Sequence, residues 1–159
     1  MKIYTIGVYE STESEFFSKL TGNKIDTLCD IRRRRGVRGR TYAFINSKYL
    51  QARLAELDIR YIYAKELAPT KDIREKQWAA DKLLGEDKHS RSKIGKEFED
   101  EYRKQILDRF DFSNFIGSLI NDGAENIAFL CIEANAKSCH RSIVAERICK
   151  MFNCENIDL

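Results

Sequence analysis

The carboxyl-terminal third of the chain brings together residue types suited to nucleophilic and proton-transfer chemistry. Cys131 ends an apolar run, and Glu133 follows two residues later, so both side chains can point the same way if the strand continues. Cys139, His140 and Arg141 then begin a helical pattern. Because helix-terminal amides and adjacent positive charge stabilise a thiolate, the pattern predicts a thiol site. Cys131, Cys139, Glu133 and His140 are its candidate catalytic residues, and Arg141 is a candidate anion ligand.

Two other interpretations of these residues stay open. Cys139 can be an inert buried residue at an ordinary helix start, so that the cluster is structural. A metal can also be considered, with Cys131, Glu133, Cys139 and His140 as ligands, but the paired spacing typical of structural zinc is absent. The chain also lacks a phosphatase Cys-x5-Arg spacing, a Walker loop and G-x-G-x-x-G. We therefore predict no metal and no cofactor.

A second group of candidates surrounds the end of an earlier strand-like run. Asp30 can orient Arg32 or act as a base, and it can equally be an N-cap or a hydrogen-bond acceptor that fixes the loop. Six of the nine residues from 32 to 40 are arginines. Such a cluster is either a solvated loop or a site for phosphates, with salt-dependent affinity. Tyr42 and Phe44 lie close enough in sequence to stack on bases. The binding candidates here are Asp30, Arg32, Arg35, Arg38, Arg40 and Phe44.

The elements that must position these side chains alternate between β-like and helical patterns. This alternation predicts an α/β fold of three layers, Rossmann-like, with a mostly parallel sheet of about five strands flanked by helices. Strands are expected at 2–6, 25–31, 60–63, 126–132 and 156–159, and helices at 12–20, 47–57, 72–84, 95–110, 113–121 and 139–152. Ligands of such sheets bind beyond the carboxyl ends of strands. That rule predicts ligand contacts in the segments 7–11, 30–44 and 131–141.

Composition limits the class of protein. The 159 residues suit a single domain, 1–159, with 33% charged and 43% hydrophobic residues and a net charge of +3. The longest apolar runs are far shorter than the roughly 20 residues of a membrane span. The first residues read as a strand rather than a secretory signal, and five cysteines are an odd number, so we expect a cytoplasmic protein without a disulfide framework. His89 lies in a polar segment and is expected to be solvent-exposed.

Several stretches, in order over almost the whole chain, resemble domain-of-unknown-function family 488, a group of small bacterial and archaeal proteins. They are Tyr4-Thr5-Ile6-Gly7, Cys29-Asp30-Ile31-Arg32, Phe44-Ile45-Asn46, Ile59-Arg60-Tyr61, Glu66-Leu67-Ala68-Pro69, Phe98, Tyr102, Leu130-Cys131-Ile132-Glu133 and Cys139-His140-Arg141-Ser142. The resemblance implies that the residues of the last two stretches work together, and it adds Asn46 to the binding candidates. Where family members often have His-Ser after the first Thr-Ile-Gly, this chain has Val8-Tyr9.

A weaker similarity in layout is to rhodanese-like domains. Asp30-Ile31-Arg32, Cys131 and Arg141-Ser142 look like their arrangement, although the loop between Cys131 and Arg141 is longer here. Three hypotheses follow. The first is a thiol enzyme, in sulfur-transfer form, acting on an anionic small molecule. The second is a protein that binds or processes nucleic acid through the arginine-rich segment. The third is a non-catalytic module. The sequence leaves the oligomeric state open.

Overall fold

A parallel β-sheet forms the centre of the molecule. The computed structural model describes residues 1–86 and 90–159, and within these residues five strands pair in the order β3-β2-β4-β1-β5. Every neighbouring pair is parallel. This confirms the predicted α/β class, with a sheet that is entirely parallel rather than mostly so. The strands are β1 (Lys2–Ile6), β2 (Thr27–Asp30), β3 (Arg60–Tyr63), β4 (Asn126–Leu130) and β5 (Asn156–Asp158).

Helices cover both faces of this sheet, because side chains of the buried strands alternate between two apolar layers. Ile127 and Phe129 enter one hydrophobic cluster, and Ala128 and Leu130 enter the other. The first cluster includes residues of α3 (Lys71–Leu84), α4 (Lys96–Tyr102), α5 (Phe112–Asn121) and α6 (His140–Phe152), and the second includes residues of α1 (Glu13–Gly22) and α2 (Ser47–Glu56).

Two strands are shorter than their apolar runs predict. Ile25 is buried, but its amide donates to the Leu20 carbonyl oxygen and so ends α1 rather than joining the sheet ladder. The Ile132 carbonyl oxygen accepts from the amides of Val8 and Tyr9 beyond the last β1–β4 pair. Apolar residues therefore continue past the strand ends, where they pack loops against the core. The predicted helix at 95–110 is α4, followed by a π-helical stretch, Arg103–Leu107.

The carboxyl ends of β2, β4 and β1 lie side by side, since these strands are neighbours in the sheet. Within the described residues, no helix combines the length and apolar character that crossing a membrane requires. The prediction for His89 lies outside the described residues.

Candidate functional site

The thiol cluster lies where β4 ends and α6 begins. Cys131 directly follows β4, and its amide donates to the Ile6 carbonyl oxygen at 3.2 Å. A loop then leads through a short 3-10 helix to Cys139, whose extended backbone is the N-cap of α6. The Ser142 amide and hydroxyl both donate to the Cys139 carbonyl oxygen. The helix start therefore fixes the Cys139 backbone and leaves its thiol without a capping role.

His140 connects the two thiols. Its Nδ1 lies 3.7 Å from Cys131 Sγ and 3.8 Å from Cys139 Sγ, and all three side chains are buried. On the other side of the ring, Nε2 lies 3.2 Å from the Ile31 carbonyl oxygen at the end of β2. Because a carbonyl oxygen only accepts, Nε2 carries a proton and Nδ1 faces the sulfur atoms. The ring of Tyr102 meets that of His140 edge-on at 5.5 Å.

The pKa values of the two thiols are shifted in opposite directions. Burial by itself raises the pKa of Cys139, but a hydrogen bond with Cys131 and the positive charges of His140 and Arg141 outweigh it and hold that pKa well below the usual value. The hydrogen bond with Cys139, together with burial, raises the pKa of Cys131. Burial lowers the pKa of His140, but the Cys139 thiolate outweighs this effect and raises it. The arrangement favours a Cys139 thiolate beside a protonated His140, with Cys131 as a neutral donor.

Glu133 extends this cluster toward residues that the sequence did not indicate. Its Oε2 lies 3.4 Å from Cys131 Sγ, and its Oε1 lies 3.6 Å from Arg91 Nη1. Arg91 in turn makes a two-pronged contact with Asp81, at 3.0 Å and 2.6 Å. Asp81 lies on α3, and Gln77 one turn earlier donates to it at 2.7 Å. No spacing in the sequence joins residues 81, 91 and 133, so only the tertiary structure could have indicated them.

Arg141 makes contacts within the protein that its position in the sequence did not indicate. It is completely buried and donates to the carbonyl oxygens of Glu133 at 2.5 Å and Ala134 at 2.7 Å, with Asp158 at 3.5 Å. These contacts occupy its terminal nitrogens within the protein. Its guanidinium therefore fixes the loop that follows β4, and the expectation that Arg141 holds an anion directly stays a prediction.

Asp30 and Arg32 form a buried ion pair beside the cluster. Arg32 Nε and Nη2 donate to the two carboxylate oxygens at 2.8 Å and 2.7 Å, and Nη2 also donates to the Ile45 carbonyl oxygen at 3.0 Å. Tyr61 donates its hydroxyl to Asp30 at 2.7 Å. Asp30 also accepts from the Arg32 amide at 3.1 Å, so its contacts fit both the orienting and the loop-fixing role.

The remaining candidates separate into two groups. Arg38 lines a cavity with Arg32, whereas Arg35 lies over the Tyr63 ring at 4.0 Å and Arg40 is exposed away from that cavity. Phe44 is buried among aromatic rings of the second apolar cluster, so it is not available to stack on a base. Asn46 accepts from the Val37 amide at 2.7 Å and thereby shapes the arginine-rich loop.

The cavity in front of the thiols has a volume of about 520 Å³. Cys131, Cys139, His140 and Glu133 line it. Its other lining side chains include basic and aromatic residues from several parts of the chain: Tyr9, Arg32, Arg33, Arg34, Arg38, Arg74, Trp78, Arg91 and Phe98. Sequence reasoning missed Tyr9, Arg74, Trp78 and Arg91, although it did select the segment that contains Tyr9.

The same cluster has the chemistry of a metal site. One atom each from Cys131, Cys139 and His140 lie within 4.8 Å of one another, and sulfur with imidazole nitrogen is a donor set that zinc prefers. A carbonyl partner for the distal ring nitrogen, as Ile31 supplies here, is typical of metal-bound histidine. The tertiary structure thus brings together three of the four residues considered as metal ligands from the sequence, although their spacing lacks the pairing typical of structural zinc.

A comparison with protein families gives a match. The model of a family described as a domain of unknown function, DUF488, matches residues 12–148. This chain belongs to the DUF488 family. No curated protein and no solved structure matches it. In this DUF488 protein the two most specific stretches of the resemblance form the thiol cluster and the loop held by Arg141. Tyr9, which stands in the place of the serine of the expected His-Ser, lines the cavity.

Proposed function

We propose that this DUF488 protein is a thiol-dependent enzyme that acts on an anionic small molecule, with Cys139 as the nucleophile. The observation that carries the proposal is the contact of Cys139 Sγ with His140 Nδ1, 3.8 Å apart, at the base of an arginine-lined cavity. A cysteine beside a protonated histidine is activated by its lowered pKa and needs no separate base. His140 can then give its Nδ1 proton to a leaving group.

Sulfur transfer is the form of the reaction that we propose. The Cys139 thiolate attacks the outer sulfur of an anionic donor such as thiosulfate, a Cys139 S–S bond forms, and the donor S–S bond breaks. The bonding electrons leave with the rest of the donor, here as sulfite. An acceptor thiolate then takes the outer sulfur and restores the Cys139 thiolate. Sulfur and charge balance in both steps, and neither step needs an added oxidant.

The other residues of the cluster support this chemistry. Cys131 keeps its proton, for which the Cys139 thiolate and Glu133 Oε2 are the two acceptors, and Glu133 also contacts Arg91 at the cavity wall. The cavity arginines attract the anion, since low-dielectric walls strengthen their field. Arg141 acts as a positioning residue through the loop that it fixes.

Alkylation against pH tests the nucleophile. A parent variant without the distant thiols, Cys149→Ser/Cys154→Ser, removes background labelling, although burial and a hydrogen bond with Cys154 already raise the pKa of Cys149 to about 12. Because the pKa of Cys139 is lowered, iodoacetamide should label it well below pH 8.5, and labelling should fall only as Cys139 becomes protonated at lower pH. In His140→Gln the onset of labelling should move to higher pH.

Two controls complete the test. Cys139→Ser should abolish both this labelling and the addition of one sulfur atom from thiosulfate, whereas Cys131→Ala, which removes the hydrogen-bond donor, should retain the labelled residue with a higher pKa. Labelling only near pH 8.5 in the parent contradicts the proposal. So does stoichiometric zinc that protects both thiols until a chelator is added, which would support a metal centre. A third outcome supports a structural role for the cluster. In it, Cys139 of the parent variant is unreactive, and Cys139→Ala lowers the free energy of unfolding by several kcal/mol.

Nucleic-acid binding is the alternative that the arginine-rich segment suggested. In the folded chain Tyr42 and Phe44 are less available to stack on bases. Phe44 is buried, and the Tyr42 hydroxyl accepts from the Glu10 amide while the Tyr42 ring packs on Tyr9. The nucleic-acid alternative therefore depends on the exposed arginines of this segment. Binding of labelled DNA and RNA across a salt series tests it, and tight binding with a steep salt dependence would favour it over the enzyme.

A further inference from the structure

The cavity carries more positive charge than its surroundings neutralise. Six arginines line it, whereas Glu133 is the single acidic residue among the described lining side chains. Arg33, Arg34 and Arg38 form no ion pair with any described residue, and the first two of these follow Arg32 directly in the chain. Guanidinium groups gathered at one concave surface bind phosphate or carboxylate oxygens with defined geometry. The charge distribution therefore predicts an anionic group on the ligand.

Arg32, which lines the cavity, carries a buried donor without a partner in the described part of the chain. Its Nε and Nη2 are held by Asp30 and by the Ile45 carbonyl oxygen, but its Nη1 is buried and has no hydrogen-bond partner among the residues that the structure describes. Only 3% of the Arg32 side chain is exposed, and the residue lines the cavity. A buried donor without a partner is costly, so an oxygen of a ligand placed there gains more than the same oxygen at a surface arginine.

Trp78 supplies a second, independent feature. It is the sole tryptophan of the chain, it is half-exposed on α3, and it lines the cavity. The guanidinium carbon of Arg74 lies 5.7 Å from the centre of its ring. An exposed indole beside a guanidinium is a surface on which planar aromatic rings stack. Tyr9 and Phe98 add further aromatic lining.

We propose that the cavity binds a phosphate monoester that carries a planar aromatic ring, the chemistry of a nucleoside 5′-monophosphate. The phosphate lies at Arg32 and the unpaired arginines, and the ring lies on Trp78. The volume of about 520 Å³ falls in the range of small-ligand sites. This inference rests on the proposed function, because it takes the cavity in front of Cys139 as the anion-binding site, and it adds no step to the sulfur transfer.

The test is a titration followed by the fluorescence of Trp78, which is unambiguous because the chain has no other tryptophan. Adenosine 5′-monophosphate should change the fluorescence and saturate. Ribose 5-phosphate, which lacks the ring, and adenosine, which lacks the phosphate, should each bind about tenfold more weakly. Phenyl phosphate tests whether the aromatic ring of the ligand has to be a nucleobase. Binding as tight as that of the nucleotide supports a non-nucleotide aromatic phosphate, and weaker binding supports a nucleotide.

Matched variants assign the two subsites. Arg33→Ala should weaken nucleotide binding about tenfold, whereas Arg40→Ala, an exposed arginine of the same segment that does not line the cavity, should change it little. Trp78→Ala, measured by calorimetry, should reduce the affinity for the nucleotide to that for ribose 5-phosphate. Leu83→Ala is the control on the same helix, since Leu83 is exposed and does not line the cavity.

Three results would overturn the proposal. They are equal affinity for all four compounds, equal effects of Arg33→Ala and Arg40→Ala, and tighter binding of an oligonucleotide than of its monomer, which would indicate an extended nucleic acid. Binding does not require the thiolate, so the titration is repeated on Cys139→Ser. Unchanged nucleotide binding together with an unreactive Cys139 in the alkylation test would remove the proposed enzyme and keep the ligand site.

Discussion

At the scale of single residues, the Asp30–Arg32 pair shows how a buried charge can serve a site. Both side chains are almost inaccessible, and Asp30 accepts from two arginine nitrogens and the Tyr61 hydroxyl. Two charges removed from water are stable only when their hydrogen bonds are made, and loss of one partner leaves the other buried and unpaired. The pair therefore holds the Arg32 guanidinium in one orientation at the cavity wall.

Replacing Asp30 should accordingly have a large effect. We expect Asp30→Ala to lower the free energy of unfolding by about 3–5 kcal/mol, because the Arg32 charge remains buried. Urea denaturation measures this loss. Glu56→Ala is the matched control, since Glu56 pairs with Arg53 on an exposed helix surface and its removal should cost about 1 kcal/mol or less. Similar losses in the two variants would show that the buried pair contributes no more than an exposed one.

At the scale of elements, the end of β1 supports the loop after β4. A Cβ atom on Gly7 would lie 2.3 Å from the Glu133 carbonyl oxygen and 3.1 Å from Arg141 Nη2. Only glycine lets the two chain segments approach this closely without displacing one of them. Arg141 then ties the loop down from the other side, so Glu133 and Cys131 are positioned by three parts of the chain together.

A methyl group at this position should disturb both stability and chemistry. We expect Gly7→Ala to cost about 1–3 kcal/mol, as overpacking does in a well-packed interior, and to slow alkylation of Cys139 because the loop moves. Gly22→Ala is the control: Gly22 ends α1, and a Cβ there would meet nothing within 4 Å. Urea denaturation and the alkylation rate measure both effects. Unchanged values for Gly7→Ala would mean that the loop adapts without cost.

At the scale of the whole molecule, the order of the strands joins the two ends of the chain. β1, from the amino terminus, lies between β4 and β5, both from the carboxyl-terminal third. Neither half of the chain can complete the sheet without the other. This topology also explains why residues from 9 to 140 can meet at one cavity.

We expect the described sheet to unfold as one cooperative unit, as the single-domain prediction requires. Far-ultraviolet circular dichroism, which follows all the helices, and the fluorescence of Trp78 on α3 should give coincident urea transitions. Because the helices pack on a sheet that includes both ends of the chain, no separate stable part is expected. Two transitions at different urea concentrations would contradict a single domain.

The sequence by itself determined the fold class and the main elements. The alternation of short apolar runs with helical periodicity predicted strands that the structure has at 2–6 and 60–63 with the same bounds, because local patterns record which face of an element is buried. Sequence adjacency also indicated the cluster of Cys131, Cys139 and His140 at a strand end and a helix start, since the carboxyl edge of a parallel sheet is where such loops meet.

Only the tertiary structure decided what each polar side chain contacts. Arg141 lies next to His140 in sequence, but the fold turns its guanidinium toward backbone carbonyl oxygens, away from the cavity. Arg91 and Trp78 carry no motif, but the tertiary structure brings them to the cavity that the thiols also line. Contacts between residues far apart in the chain depend on how the helices pack on the sheet, which local spacing does not specify.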